Sequence, residues 1–284
     1  MTAPHPDEQR AGIIERWSKA AAGWGAHAER MREFGMPVSA WMIERARLQP
    51  GLRVLELAAG PGDTGFLAAE LIRPGGTLLS TDAADTMLTV ARARAEALGI
   101  RNIEFKRMEL EWLDLDTASV DVVLCKWGLM FSVDPESGLR EARRVLRPGG
   151  RIAVAAWDEP PVNPWATITT RALVELGDAE PTDPDAPGMF ALAAPGRLQE
   201  LLQTAGFVDV VVEAVDTMRH FASVGEYVAE TRVVSSSFGA VFDPLPESEQ
   251  EQIEQKIAEL AQPYTAPDGA LRLPGRSLVA AADA

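Results

Sequence analysis

Cysteine is almost absent, with Cys125 alone in 284 residues. A single thiol excludes an internal disulfide and any thiolate metal cluster within one chain, and it suits a reducing compartment. Histidine is scarce too, with only His5, His27 and His220, and His5 stands in a tail expected to be disordered. No His, Asp or Glu cluster has ligand spacing within one element, so no metal site is expected. Cations are outnumbered, 27 Lys and Arg against 42 Asp and Glu, giving a net charge of −15. That balance repels a phosphate backbone, and the cations form no stripe with interleaved aromatics, which argues against a nucleic-acid partner. No uncharged apolar run approaches the length of a membrane span. The first ten residues lack the apolar core of a secretory signal, and a cytoplasmic location is the expectation. No internal repeat is evident, and nothing decides between a monomer and a homodimer.

What is present is an ordinary globular composition, 46% hydrophobic and 24% charged, in a chain long enough for one large α/β domain with elaborations. Short apolar runs rich in β-branched residues, at 53–57, 77–81, 103–106, 120–125 and 151–156, alternate with helical patterns at 64–72, 86–98 and 136–146. This is the signature of βα units around a mostly parallel sheet buried on both faces. The sequences Arg73-Pro74-Gly75-Gly76 and Arg147-Pro148-Gly149-Gly150 stop helices before strands. The expected organisation is a helical cap over 1–48, broken near Gly35-Met36-Pro37, and a Rossmann-like core over 49–157. A Pro- and Asp-rich mobile connection or lid follows over 158–194. Residues 195–222 return to the core as a helix over 195–205 and a sixth strand over 208–215, 223–265 form a helical insertion, and 266–284 carry the last strand over 271–281.

Ligands of a parallel sheet bind at the carboxyl ends of its strands, and the first strand runs directly into Glu56-Leu57-Ala58-Ala59-Gly60-Pro61-Gly62. Glycines there let a backbone approach a ligand closely, though a tight strand-to-helix turn would use them equally. Asp82 ends the second strand 20 residues after Gly62 (82 − 62), where a carboxylate can accept ribose hydroxyls. NAD sites share such an acid. They differ in the G-x-G-x-x-G spacing, which is missing here, and an acid such as Glu56 near the loop would repel pyrophosphate while suiting a sulfonium or ammonium.

The segment Val54-Leu55-Glu56-Leu57-Ala58-Ala59-Gly60-Pro61-Gly62 resembles the E/D-x-G-x-G-x-G loop of class I S-adenosylmethionine (AdoMet)-dependent methyltransferases, with Ala58 in place of the first glycine. Residues 121–131 and 141–157 resemble the ubiquinone/menaquinone-biosynthesis type. The resemblance implies a seven-stranded sheet of order 3-2-1-4-5-7-6 with the last strand antiparallel. It also implies AdoMet as cofactor, S-adenosylhomocysteine as product and a small-molecule acceptor. Carried over residue by residue, the cofactor would meet Glu56, Ala58, Gly60, Gly62, Asp82, Ala83, Met87, Met108, Glu109, Leu110, Lys126 and Trp127. Glu109 would accept from the adenine amino group.

Seven tryptophans stand in the chain. Packing is the ordinary use of tryptophan, yet Trp17, Trp24, Trp127 and Trp157 fall in the cap or just past strand ends, and with Phe131 they are the expected acceptor wall. Together with Ile13, Ile14, Met31, Phe34, Met36 and Met130 they predict an aromatic or apolar acceptor. His27, on the cap with Trp24 one helical turn before it, is the candidate base. Cys125 is expected to be an inert buried thiol. An NAD-linked oxidoreductase and a non-catalytic AdoMet-binding protein of the same fold are the competing readings.

Overall fold

A computed structural model describes residues 5–181, 183 and 186–284. Two helices, α1 (Pro6–Ala26) and α2 (Ala28–Arg45), precede β1 (Arg53–Glu56). The chain continues through α3 (Asp63–Leu71), β2 (Thr77–Asp82), α4 (Asp85–Ala97), β3 (Ile103–Arg107), β4 (Val120–Lys126), α5 (Pro135–Val145) and β5 (Leu146–Trp157). Then come α6 (Pro164–Leu176), α7 (Arg197–Thr204) and β6 (Val208–Phe221), followed by α8 (Val224–Val234), α9 (Ser236–Phe242), α10 (Glu247–Ala261) and β7 (Leu271–Asp283). The seven strands form one sheet of order β3-β2-β1-β4-β5-β7-β6, with β7 antiparallel to both its neighbours. This is the order the resemblance implied.

Alternation sorts the strand side chains between two buried faces. Val54, Leu78, Val122 and Leu124 pack with Val38 and Met42 of α2, Ala68 and Ala69 of α3, and Ala91 and Ala95 of α4. Leu55, Leu79, Val123 and Cys125 pack on the other side with Leu139 and Val145 of α5 and Leu198, Leu201 and Leu202 of α7. Burial pushes the Cys125 thiol up to about 12, so it is chemically inert. No helix among the described residues is long and apolar enough to cross a membrane.

Four expectations need correction. The cap breaks at His27, not near Gly35-Met36-Pro37, and Pro37 rides inside α2. An interior proline costs about 3 kcal/mol. Burying Met31, Phe34, Val38 and Met42 on one face returns about 1.5–3 kcal/mol for each, so α2 stays whole. Gly35 marks a close approach instead, since a Cβ there would lie 3.0 Å from the Trp127 ring and 3.1 Å from Lys126 Nζ. Second, the connection over 158–194 holds a core element, α6. Asn163 is fully buried before it, donating from Nδ2 to the carbonyls of Asp158 (2.9 Å) and Arg276 (3.1 Å) and accepting from Arg276 N–H (2.9 Å). Residues 182, 184 and 185 of that stretch lie outside the described residues. Third, His5 is no loose tail: it accepts from Asp7 N–H and caps α1, while residues 1–4 lie outside the described residues. Fourth, β6 runs to Phe221 and β7 to Asp283, both longer than expected.

The fourth difference positions the site. Ser277 of β7 is paired with Trp157, the last residue of β5, and with Val215 of β6. Everything in β6 after Val215 therefore projects past the carboxyl edge of the parallel strands. Arg219, four residues on (219 − 215), lies ~14 Å beyond that edge at ~3.4 Å per residue. Helices α6, α8, α9 and α10 pack on this projecting hairpin through Ile168, Phe221, Tyr227, Phe238, Ile253, Ile257 and Leu273.

Candidate active site

A cavity of about 1160 Å³ opens at the carboxyl ends of the strands, beneath α1, α2 and the hairpin helices. Pockets for one small ligand span about 300–1,000 Å³, so this one has room for a cofactor and an acceptor together.

One end is built by the loops after β1, β2 and β3. Gly60 has φ +54 and donates its N–H to Asp82 Oδ2 (2.9 Å), while Asp82 Oδ1 accepts from Ala84 N–H (2.9 Å). Asp82 thus fixes two loops at once and still lines the cavity. Burial raises its pKa above the ordinary carboxylate value, with those N–H donors opposing the shift. A Cβ on Gly60 would meet no atom within 4 Å, so the glycine leaves open space for a ligand to approach the backbone. Ala58 sits at φ +48, uncommon for an L residue. It fits because its neighbour across the cavity floor is Gly128, where a Cβ would fall inside 3.0 Å of the Ala58 Cβ. Trp17 and Trp24 of α1 pack with Ala21, Ala84 and Met87 at this end, their rings 5.8 Å apart.

The other end is aromatic. Trp127 has φ +59 and stacks on Trp157 at 4.3 Å, while its Nε1 donates to Ser277 Oγ (3.0 Å). Left-handed backbone at a bulky residue costs about 1–3 kcal/mol and persists where the surroundings hold it. Phe34 stacks on Trp157 at 5.6 Å, and Trp165 meets Phe34 edge-on at 5.1 Å. Lys126 lies between the ends, its Nζ donating to Ser39 Oγ (3.1 Å). Burial pushes the Lys126 pKa down, with Asp63 and Glu56 opposing.

Of the residues expected to meet the cofactor, Ala58, Gly60, Asp82, Ala83, Met87, Met108, Glu109, Leu110, Lys126 and Trp127 line the cavity. Glu56 and Gly62 do not. Glu56 lies behind the loop, accepting from Gly65 N–H (2.6 Å) and Ser80 Oγ–H (3.1 Å), and its burial raises its pKa to about 7. It holds the start of α3 in place. Gly62 packs under the Phe66 ring. The expected acceptor residues Trp17, Trp24, Trp127, Phe131 and Trp157 all line the cavity, but Trp17 and Trp24 stand with Met87. Ile13, Ile14, Met31, Phe34 and Met130 also line it; Met36 does not. His27 is outside the lining, its Nδ1 3.5 Å from Glu230 Oε2, and His220 is exposed. No group of acids, histidines and cysteine able to hold a metal exists among the described residues. Trp165 and Arg219 are lining residues that sequence reasoning missed.

A family model described as a methyltransferase domain matches residues 48–182. The ubiquinone/menaquinone biosynthesis C-methyltransferase of Pasteurella multocida is 29% identical over 178 residues, covering 59% of this chain and 66% of the relative. The same enzyme of Ectopseudomonas mendocina is 36% identical over 119 residues, covering 42% and 46%. An uncharacterized protein of Mycobacterium tuberculosis is 32% identical over 157 residues, 55% of each chain. The chain thus spans about half to two thirds of these relatives' length. Among solved structures, the YcgJ protein of Bacillus subtilis superposes with a TM-score of 0.58 at 18% identity, covering 86% of this chain and 97% of that one. The [4+2]-cyclase SpnF superposes at 0.55 and 16% identity, covering 86% and 80%. Likeness at such identity speaks for the fold, and the cyclase shows that this fold hosts more than one chemistry.

Proposed function

We propose that the protein is an AdoMet-dependent methyltransferase acting on a small aromatic or apolar acceptor, with S-adenosylhomocysteine as the second product. One observation carries this reading: a single cavity joins the Gly60 and Asp82 loops at one end to a wall of stacked indoles at the other. The residues present suit the cofactor. Asp82 offers lone pairs to ribose hydroxyls, and Gly60 leaves its backbone bare. Met87, Met108 and Leu110 flank a flat adenine, with Glu109 facing its amino group. Trp24 is read as roof over this adenosine end, while Trp17, whose ring meets Phe131 edge-on at 5.0 Å, joins that roof to the acceptor side.

When bound, AdoMet supplies an electrophilic methyl carbon on its sulfonium. Trp127 stacks on Trp157 and carries Lys126 Nζ 4.8 Å from its ring centroid, so it fixes both the aromatic wall and the lysine between the two ends. Lys126 and Asp63 face the zwitterionic methionyl end. Phe131 and Trp157, with Phe34 and Trp165, hold a flat acceptor in line and exclude water, and alignment of this kind is most of what such a transfer asks of a protein.

Calorimetry tests the cofactor assignment. Binding of AdoMet and S-adenosylhomocysteine with no heat from NAD is expected; NAD binding without AdoMet would return the protein to the oxidoreductases. C-methylation in ubiquinone/menaquinone biosynthesis, the activity in the relatives' names, is one reaction of the proposed class.

A further inference from the structure

Arg219 is a buried cation at the acceptor end of the cavity with no part in holding the cofactor. Its side chain is 4% exposed, it lines the aromatic end, and it reaches there on the part of β6 that overhangs the sheet. Nη2 donates to the buried carboxylate of Glu230. The other Glu230 oxygen is taken by Arg30 Nε at 2.7 Å. The guanidinium plane lies against three rings, 5.3 Å from Phe34, 5.3 Å from Trp165 and 4.9 Å from Phe221. Those rings and Glu230 fix the fork in one orientation, while its Nε and Nη1 donors meet no acceptor among the described residues.

The buried side-chain atoms without a hydrogen-bond partner among the described residues do not include those of Arg219, so its Nε and Nη1 open onto the cavity, where a ligand oxygen can accept from them in place of water. The rings beside it define the ligand as flat, and the donors define an oxygen on that flat ring. We propose that Arg219 is the acceptor-binding residue that receives a phenolic oxygen and holds it as phenolate. This rests on the reading of the cavity as a methyl-acceptor site and narrows the acceptor to a hydroxylated aromatic.

The chemistry balances without a histidine in the cavity. The phenol O–H bond breaks, its proton passes to water in the open cavity, and the electron pair stays on the oxygen facing Arg219. That pair, delivered from oxygen or from the conjugated ring carbon, forms the bond to the methyl carbon as the carbon–sulfur bond breaks and leaves its pair on sulfur. Arg219 thereby does electrostatically what a general base would do, by lowering the acceptor's own pKa. The other charged or titratable groups packed around it are Glu230, Tyr227 and Arg30, with His27 behind Glu230.

The test needs no turnover. 4-Nitrophenol changes colour on ionisation, so its titration reports the field at its oxygen. Bound to the full chain, with and without S-adenosylhomocysteine, it should ionise at a midpoint lower by about one unit or more, since an opposite charge within ~4–6 Å lowers a pKa by about 1–3. Arg219→Gln should abolish the shift, and Arg219→Lys should keep part of it. Because buried Glu230 would keep only Arg30 as a guanidinium partner, Arg219→Gln is made also with Glu230→Gln, which retains a neutral hydrogen-bonding pair. Binding of 4-nitroanisole, which cannot ionise, checks in each variant that the pocket survives. An unshifted midpoint in the wild type, a shift that persists in both Gln variants, or no binding of 4-nitrophenol would each overturn the proposal. Failure of the wild type to bind AdoMet would instead contradict the methyltransferase reading, and the nitrophenol shift would still report on Arg219 alone.

Discussion

Gly128→Ala is the sharpest perturbation of the cavity floor. Gly128 has φ −101 and ψ −43, a conformation alanine adopts freely, so any effect must come from contact and not from backbone strain. The added Cβ would fall inside 3.0 Å of Ala58 Cβ and 3.3 Å from Cys125 Sγ. Carbon atoms sit comfortably at about 3.5–4.0 Å, so the two loops must separate by roughly 1 Å or more. Ala58 has no side-chain torsion with which to yield, since its Cβ is set by the backbone after β1, and Cys125 Sγ is buried in the core. Overpacking of this kind costs ~1–3 kcal/mol. The displacement also carries the Gly60 loop away from Asp82, so AdoMet affinity should fall with stability. Ala58→Gly removes the opposing methyl and is near neutral alone, because relief at φ +48 offsets the added freedom of the unfolded chain. The double variant should recover most of both losses. Urea denaturation and AdoMet calorimetry on all four proteins form a complete cycle. A Gly128→Ala protein as stable as wild type, or a double variant no better than the single one, would refute the packing argument.

Asp82→Ala should weaken AdoMet binding by about 1.5–3 kcal/mol, because it removes a charged acceptor and also releases Gly60 N–H; unchanged affinity by calorimetry would sink the ribose assignment. Glu56 gives a pH signature. Its folded pKa of about 7 exceeds its ordinary 4.5, so its contribution is fully present below pH ~4.5 and is lost as pH rises through about 7. That loss amounts to about 3 kcal/mol. Glu56→Gln should flatten stability over this window while leaving AdoMet affinity close to wild type, and an unaltered pH dependence would show that Glu56 does not titrate as argued.

The βα core was legible because its signals are local: apolar strands, Pro-Gly punctuation, and an acid at the end of each of the first two strands. The strand order came from the resemblance, since no periodicity shows that the last strand inserts beside β5. Helix α6 was hidden by the prolines and aspartates around it, although Asn163-Pro164 before the apolar positions Ile168, Ala172 and Leu173 is a helix-start signal. Glu56 was placed on the ligand side because its spacing matches the loop; only the three-dimensional turn shows it pointing behind, to Gly65 N–H. Arg219 was missed for a different reason. Beyond Val215 the strand alternates with polar residues turned inward, Thr217 and Arg219 buried against exposed Asp216, Met218 and His220, so the usual pattern of apolar-in and polar-out is inverted. Its partner Glu230 follows on a separate helix, and nothing in the linear spacing joins them to Trp165 or Phe34.

The central claim is that this cavity moves a methyl group from AdoMet to a flat, hydroxylated or apolar acceptor. Incubation of the full chain with methyl-labelled AdoMet and a panel of phenols, quinols and charged aliphatic compounds tests it most directly. The account predicts label in the aromatic compounds with stoichiometric S-adenosylhomocysteine; label confined to charged, non-aromatic acceptors would contradict it.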